Sequence, residues 1–251
     1  MTPAQPKPNI VALPATTKAR GSSPSPKVKG SGVRRTGSRR LGRPVASDGD
    51  ERRRRIIEVA RREFARSGYV GTTNRRIAEQ AGITTGAIYH YFTSKRDVYL
   101  AVFEETDRII LTRYQEVTSD ALLSFEEMVA QLLEVSSQMN SEDETLAAFL
   151  ASASVDAHRD PELLPTYLEH DHKMMGFFSQ LIDAGVEEGV IHDESRADIL
   201  DAIRVLTLGL TWYSVRLGDP VAHRRATAAT IQAMRGNLFP SRPAGRRRAT
   251  R

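Results

Sequence analysis

An all-α fold of about nine helices is predicted by three features of this 251-residue chain. Helix-start spacing recurs from residue 48 onward: Asp48 with Glu51, Ser94 with Asp97, Ser124 with Glu127, Ser141 with Glu144 and Ser195 with Asp198. Each pair sets a short side-chain acceptor three residues before an acid, the spacing of a capping box. Gly68, Gly82, Gly189, Gly218 and Gly236 fall where helices should stop. No run alternates apolar and polar residues as a half-buried strand would.

Residues 1–47 are rich in Pro, Ser, Gly, Lys and Arg and lack aromatics. They bury too little to offset the entropy of folding, so a disordered basic arm is expected. Its Leu41-Gly42-Arg43-Pro44 run is similar to hooks that lie in a narrow minor groove. A solvated tail that adds non-specific attraction is the plainer reading.

Residues 48–97 should form three helices, two of them short and joined by a tight turn. Thr73 is placed to cap the first of the pair, with Ile77, Ala78 and Ala81 on its inward stripe. Gly82 supplies the turn, and Ile83, Ile88 and Phe92 form the inward stripe of the second. Ala78 and Gly82 sit where two steeply crossing helices leave no room for larger side chains. That is the steric demand of a helix-turn-helix, whose second helix enters the DNA major groove. Thr84, Thr85, Gly86, Tyr89, His90 and Lys95 are left facing outward. Hydroxyl, phenol, imidazole and ammonium groups reach phosphates and base edges, so double-stranded DNA is the expected partner. Thr73 would touch phosphate as well as cap. Thr84, Thr85 and Gly86 would front the recognition helix, while Tyr89, His90 and Lys95 grip the backbone.

Residues 52–97 resemble the N-terminal DNA-binding domain of the TetR family of bacterial transcriptional regulators. The matching residues are Ile57, Ala60, Phe64 and Gly68, then Thr72-Thr73, Ile77-Ala78, Ala81-Gly82, Gly86, Tyr89-His90-Tyr91-Phe92 and Lys95. The resemblance implies an all-helical homodimer whose larger C-terminal domain holds a small molecule that controls operator binding, most simply as a repressor. Two positions depart from the family pattern. Thr85 stands where a basic residue is common, and Arg76 where an acid is common, so an operator sequence does not carry over.

A long connecting helix should start after Ser94, with Tyr99, Val102 and Phe103 against packed protein, and about five helices should follow within residues 98–240. Asp160-Pro161 and Asp219-Pro220 each place a capping oxygen before a proline suited to a first turn. The helix from Arg196 to Leu217 is apolar on two opposite faces. Ile199, Ile203, Leu206, Leu210, Tyr213 and Leu217 form one, and Val205, Leu208, Trp212 and Val215 the other. The helix after it carries Ala222, Ala226, Ala229 and Ala233 at the same spacing. Two such helices from each subunit would make a four-helix dimer seam. Phe103, Phe125, Met128, Leu132, Phe149, Met174, Phe177, Phe178 and Trp212 are the candidate wall of a cavity for an apolar effector, with Met139 in the same cluster.

Charge separates along the chain. Residues 1–50 hold ten Lys or Arg against two acids, and residues 51–97 eleven against five. Residues 98–240 hold ten against twenty-four, and the basic tail, residues 241–251, adds five Arg. One part approaches a polyanion and another stands off, unlike a uniformly basic coating protein. Cysteine is absent, which removes disulfides, zinc fingers and thiol nucleophiles. His170 and His172, two apart on one helix, point to different sides, so no metal site is expected, nor a cofactor. No phosphate loop or nucleophile elbow motivates an enzyme. The longest apolar run, Val205 to Val215, is too short to cross a bilayer, and the start of the chain lacks a secretory signal. A cytoplasmic protein is expected.

Overall fold

A computed structural model describes residues 45–120 and 122–236. The expected arm over residues 1–47, apart from its last three residues, lies outside them, as does the whole of the tail over 241–251. The described residues form nine α-helices, a short 3-10 turn at Asp193–Ser195 and no strand. The order is α1 (Val45–Gly71), α2 (Asn74–Ala81), α3 (Thr85–Tyr91), α4 (Lys95–Thr118), α5 (Phe125–Glu142), α6 (Thr145–Arg159), α7 (Leu164–Glu187), α8 (Arg196–Leu217) and α9 (Pro220–Met234).

Most start and stop signals act as read. Ser124 and Glu127 form a complete capping box, Ser94 accepts from the Asp97 amide, and Asp219 accepts from the Val221 and Ala222 amides ahead of its proline. Four signals act differently. α1 begins at Val45, which puts Asp48 inside the helix. Ser141 lies in the last turn of α5 and donates to the Ser137 carbonyl; Asp143 Oδ1 instead accepts the Thr145 amide at 3.0 Å at the start of α6. Ser195 precedes α8 without a side-chain cap. Asp160 closes α6, and α7 starts only at Leu164, beyond a turn.

α1, α2 and α3 pack around Ile57, Ala60, Phe64, Ile77, Ala78 and Ile88, all buried. That cluster does not stop at residue 97. Val98, Tyr99, Val102 and Phe103 of α4 and Phe149 and Ala153 of α6 belong to it. α6 therefore runs along α1, and the head is joined to the rest by a continuous apolar body. A second cluster, around Ile110, Tyr114, Leu132, Met174, Phe178, Leu181 and Ile182, is shared by α4, α5, α7 and α8.

The two faces read along α8 diverge. Ile203 is buried, with Ile199, Leu206 and Leu210 half-buried, whereas Val205, Leu208, Trp212 and Val215 are exposed, Val205 by 68%. On α9, Ala222 is buried and Ala226 half-buried, while Ala229 and Ala233 are exposed. No described helix is long and apolar enough to cross a membrane.

Candidate nucleic-acid interface and ligand cavity

The turn between α2 and α3 is set by Gly82, whose backbone is left-handed (φ 69°, ψ 34°). Its amide donates to the Glu79 carbonyl, and the Ile83 amide donates to the Ala78 carbonyl at 3.0 Å. This is the Schellman closure of a helix end, and a residue with a Cβ would be strained there. Thr73 Oγ1 accepts the Arg76 amide at the head of α2, and Thr84 Oγ1 accepts the Ala87 amide at the head of α3, each at 3.2 Å. Both hydroxyls therefore orient short helices that would not hold alone.

α3 buries Ile88 inward and turns Thr84, Gly86, Tyr89 and His90 to solvent, with Thr85 half-buried. Tyr89 is 54% exposed. A Cβ built on Gly86 would meet only Thr84 Oγ1, at 3.9 Å. Nothing inside the protein asks for glycine at this position. Arg53 lies over the Phe92 ring at 5.2 Å, at the base of this face.

Lys95 departs from the sequence reading. Its ammonium donates to the Tyr69 carbonyl at 2.8 Å and the Thr72 carbonyl at 3.1 Å, and sits 4.0 Å from the centre of the Tyr69 ring. Burial lowers its pKa against the pull of Asp156 and Asp160. Two of its three donors thus hold the chain that follows the non-helical Gly68 (φ 67°) and leads into α2. Arg76 also turns inward, to an ion pair with the buried Glu63 of α1.

The head is tied to α6 and to Asp143 just before it by four polar contacts that no motif announced. Arg61 pairs with Asp143 and donates through Nε to Thr145 at 2.9 Å. Ser152 donates to the Phe64 carbonyl at 3.2 Å. Asp156 accepts the Tyr69 amide at 2.8 Å, and its carboxylate lies 3.1 Å from where a Gly68 Cβ would stand. The one legible sign was Arg61 itself, a charge next to the Ile57, Ala60 and Phe64 stripe.

On the opposite face of α6, Leu146, Leu150, Ser154 and His158 line a cavity of about 310 Å³. α4, α5, α7 and α8 complete it, through residues such as Ile110, Met139, His170, Met174, Phe178 and Trp212. Of the nine candidate wall residues, Met174, Phe178 and Trp212 face it. Phe103 and Phe149 meet edge to face at 4.9 Å in the head cluster instead. Phe125 packs on Gly185, Phe177 is buried in the second cluster beside Met128, and Leu132 meets only a small separate void. Size and apolarity marked all nine, whereas lining a cavity depends on which helices stand apart. His170 is buried on the wall and paired through Nδ1 with the buried Asp107. His172 is exposed, and the described residues contain no cluster of three metal-binding side chains.

Residues 56–102 match the family model described as bacterial regulatory proteins of the tetR family. The transcriptional repressor AcnR of Corynebacterium diphtheriae is 31% identical over 169 residues, covering 57% of this chain and 88% of that protein. Two solved structures share the fold. FadR of Bacillus subtilis, in complex with stearoyl-CoA, has a TM-score of 0.59 at 20% identity, covering 71% of this chain and 96% of its own. A Saccharomonospora viridis regulator in complex with choline has a TM-score of 0.60, also at 20%, covering 73% and 96%. The likeness to AcnR runs past the head into the C-terminal helices and spans nearly all of that repressor, so the chain belongs to the TetR family of bacterial regulatory proteins, which are DNA-binding regulators of transcription and not enzymes.

Proposed function

We propose that this protein is a dimeric repressor whose affinity for its operator is set by a small molecule in the cavity between α4 and α8. The observation that carries this reading is the two-sidedness of α6. One face bears Leu146, Leu150 and Ser154 on the cavity, and the other bears Thr145, Ser152 and Asp156 on α1. A ligand that binds one position of α6 better than another biases the orientation of α1 and its head, and equal affinity for both would change nothing.

Thr84, Thr85 and Gly86 are the groups we assign to the groove, with Thr73, Tyr89 and His90 at the DNA backbone, and Lys95 acting chiefly on the end of α1. A single helix-turn-helix makes too few base contacts for tight specific binding, which argues for two heads. The exposed Val205, Leu208, Trp212 and Val215 stripe on α8, continued by Val221 on α9, is the surface we assign to a second copy. Leu208 and Trp212 belong to both that stripe and the cavity wall, so subunit contact and ligand contact would share side chains. The stearoyl-CoA and choline complexes of the two structural neighbours support a small-molecule ligand for this chain, and the unlike chemistry of the two leaves its class open.

The test is to sequence genomic fragments retained by the purified protein, then to measure binding of a retained fragment while compounds are added. Sequence-selective retention that one compound alters, by a protein that sediments as a dimer, is expected. Retention without sequence preference near physiological salt would sink the proposal.

A further inference from the structure

Most hydroxyls and both histidines of the cavity wall share a bias, while Asn140 and Tyr167, also on the wall, keep an amide and a phenol that can donate. Thr207 donates to the Ile203 carbonyl at 2.9 Å, Thr211 to the Thr207 carbonyl at 2.8 Å, and Ser154 to the Ala151 carbonyl at 2.8 Å. Ser136 donates to the Leu132 carbonyl at 2.7 Å and so accepts from the Tyr114 hydroxyl, 2.6 Å away. Each hydroxyl has spent its one proton on the protein and keeps lone pairs for the cavity. The two histidines on the wall repeat the pattern. His158 Nδ1 lies 2.6 Å from the Ser154 carbonyl, and His170 Nδ1 is paired with the Asp107 carboxylate. Both partners accept, so Nδ1 donates from each ring.

The charged groups point the same way. Asp171 is on the wall, and no Lys or Arg is. The nearest cations are already held by acids: Lys173 by Glu169 at 3.0 Å and by Asp107 at 3.4 Å, and Arg204 by Asp171 at 3.5 Å. A carboxylate or phosphate entering here would lose its hydration and find no cation on the wall, with only the neutral Asn140 and Tyr167 side chains to donate. An ammonium or hydroxyl group would find the Asp171 carboxylate and the lone pairs of the wall hydroxyls.

We propose that the cavity takes a compact lipophilic molecule whose polar end donates hydrogen bonds and which carries no anionic group, a lipophilic amine or alcohol and not a fatty acid or an acyl thioester of coenzyme A. This rests on the reading of the cavity as the effector site. It goes further by fixing the charge and hydrogen-bonding sense of the ligand from the wall alone.

The experiment is calorimetric titration of the full chain at neutral pH with decylammonium, 1-decanol and decanoate, which share one chain length and differ at the polar end. Decylammonium and decanol are expected to bind, with decanoate at least tenfold weaker. Decanoate equal to or tighter than the other two, or no binding by any of the three, overturns the proposal. Arg204 keeps a buried Nε without a partner and is the cation an acid could recruit. The Arg204→Gln variant is therefore titrated in parallel. Decanoate binding that is strong in the wild type and lost in Arg204→Gln would replace the donor site by an anion site. Operator retention by the unliganded protein is measured separately, so a failure of ligand class and a failure of the regulator reading give different results.

Discussion

Around Ala78 the side chains of α1, α2 and α3 close completely, with Phe64, Ile77 and Ile88 buried to the last atom. Between α4 and α8 the same kinds of side chain leave about 310 Å³ unfilled. The head is a small body that must hold one shape against a duplex. The C-terminal helices must hold a space, and Met139, Met174 and Met175 around it are unbranched side chains that can repack. A filled core resists enlargement, and an open one tolerates it. Variants that add the same atoms to both regions expose that difference.

The largest effect is expected for Ala78→Leu. Ala78 is 1% exposed at the crossing of α2 with its neighbours, and three added carbons have nowhere to go. Overpacking of this kind costs about 1–3 kcal/mol. Loss of DNA binding with a lower denaturation midpoint is expected, read by fluorescence anisotropy and urea unfolding. A variant with native midpoint and native affinity would mean that the head is not close-packed where it matters.

Lys95→Met comes next, and it separates two roles. Removing the ammonium takes a charged donor from the Tyr69 and Thr72 carbonyls, leaving Tyr69 only the longer bond from the Thr72 amide at 3.4 Å, and takes a cation from the Tyr69 ring. A loss of about 1–2 kcal/mol of stability follows from charged hydrogen bonds of this kind. If the ammonium is engaged inward, the salt dependence of DNA binding should barely change. A phosphate contact would instead lower the logarithmic salt slope by roughly one. An altered slope with unchanged stability would return Lys95 to the backbone of the duplex.

Ala151→Leu is the counterpart of the first variant. Ala151 is as buried as many core residues, at 5% exposure, yet it borders the cavity on α6. The three added carbons enter empty space, so stability is expected to change by less than about 1 kcal/mol, in either direction. Ligand response should fall while operator affinity persists. A cost equal to that of Ala78→Leu would show the cavity to be filled by motion of its walls, and the contrast between the two regions would be lost.

The contrast also explains what was legible in the sequence. The turn at Gly82, the cap at Thr73 and the stripe of Ile77, Ala78 and Ala81 are set by residues within one another's reach along the chain. Short spacings therefore located them. Lys95 was misdirected because its partners, Tyr69 and Thr72, lie 26 and 23 residues away in sequence. Three of nine wall residues were placed because a cavity is a gap between helices, and periodicity along one helix says nothing of where its neighbours stand. Asp156 was missed for the same reason, since its partner Tyr69 lies 87 residues away. The exposed stripe on α8 was legible, because two apolar faces on one helix are a local pattern.

The smallest expected change in stability is also the sharpest test of the DNA face, and it lies at Gly86. Glycine within a helix costs roughly 0.5–1 kcal/mol relative to alanine. A methyl group at this position would touch nothing in the protein but Thr84 Oγ1, at 3.9 Å. Gly86→Ala should therefore raise the denaturation midpoint slightly, by up to the alanine advantage. Among the described residues nothing calls for glycine in this seven-residue helix, and the proposed reason is close approach of the helix to a surface beyond it. Under that reading the more stable variant binds its operator several-fold more weakly, and the loss is larger for specific than for random duplex, since phosphate contacts elsewhere are untouched. A variant both more stable and undiminished in operator affinity would remove α3 from the groove at that point. The head would then contact DNA through another edge, with Thr73 and the exposed Arg52–Arg55 run of α1 the next surface to vary.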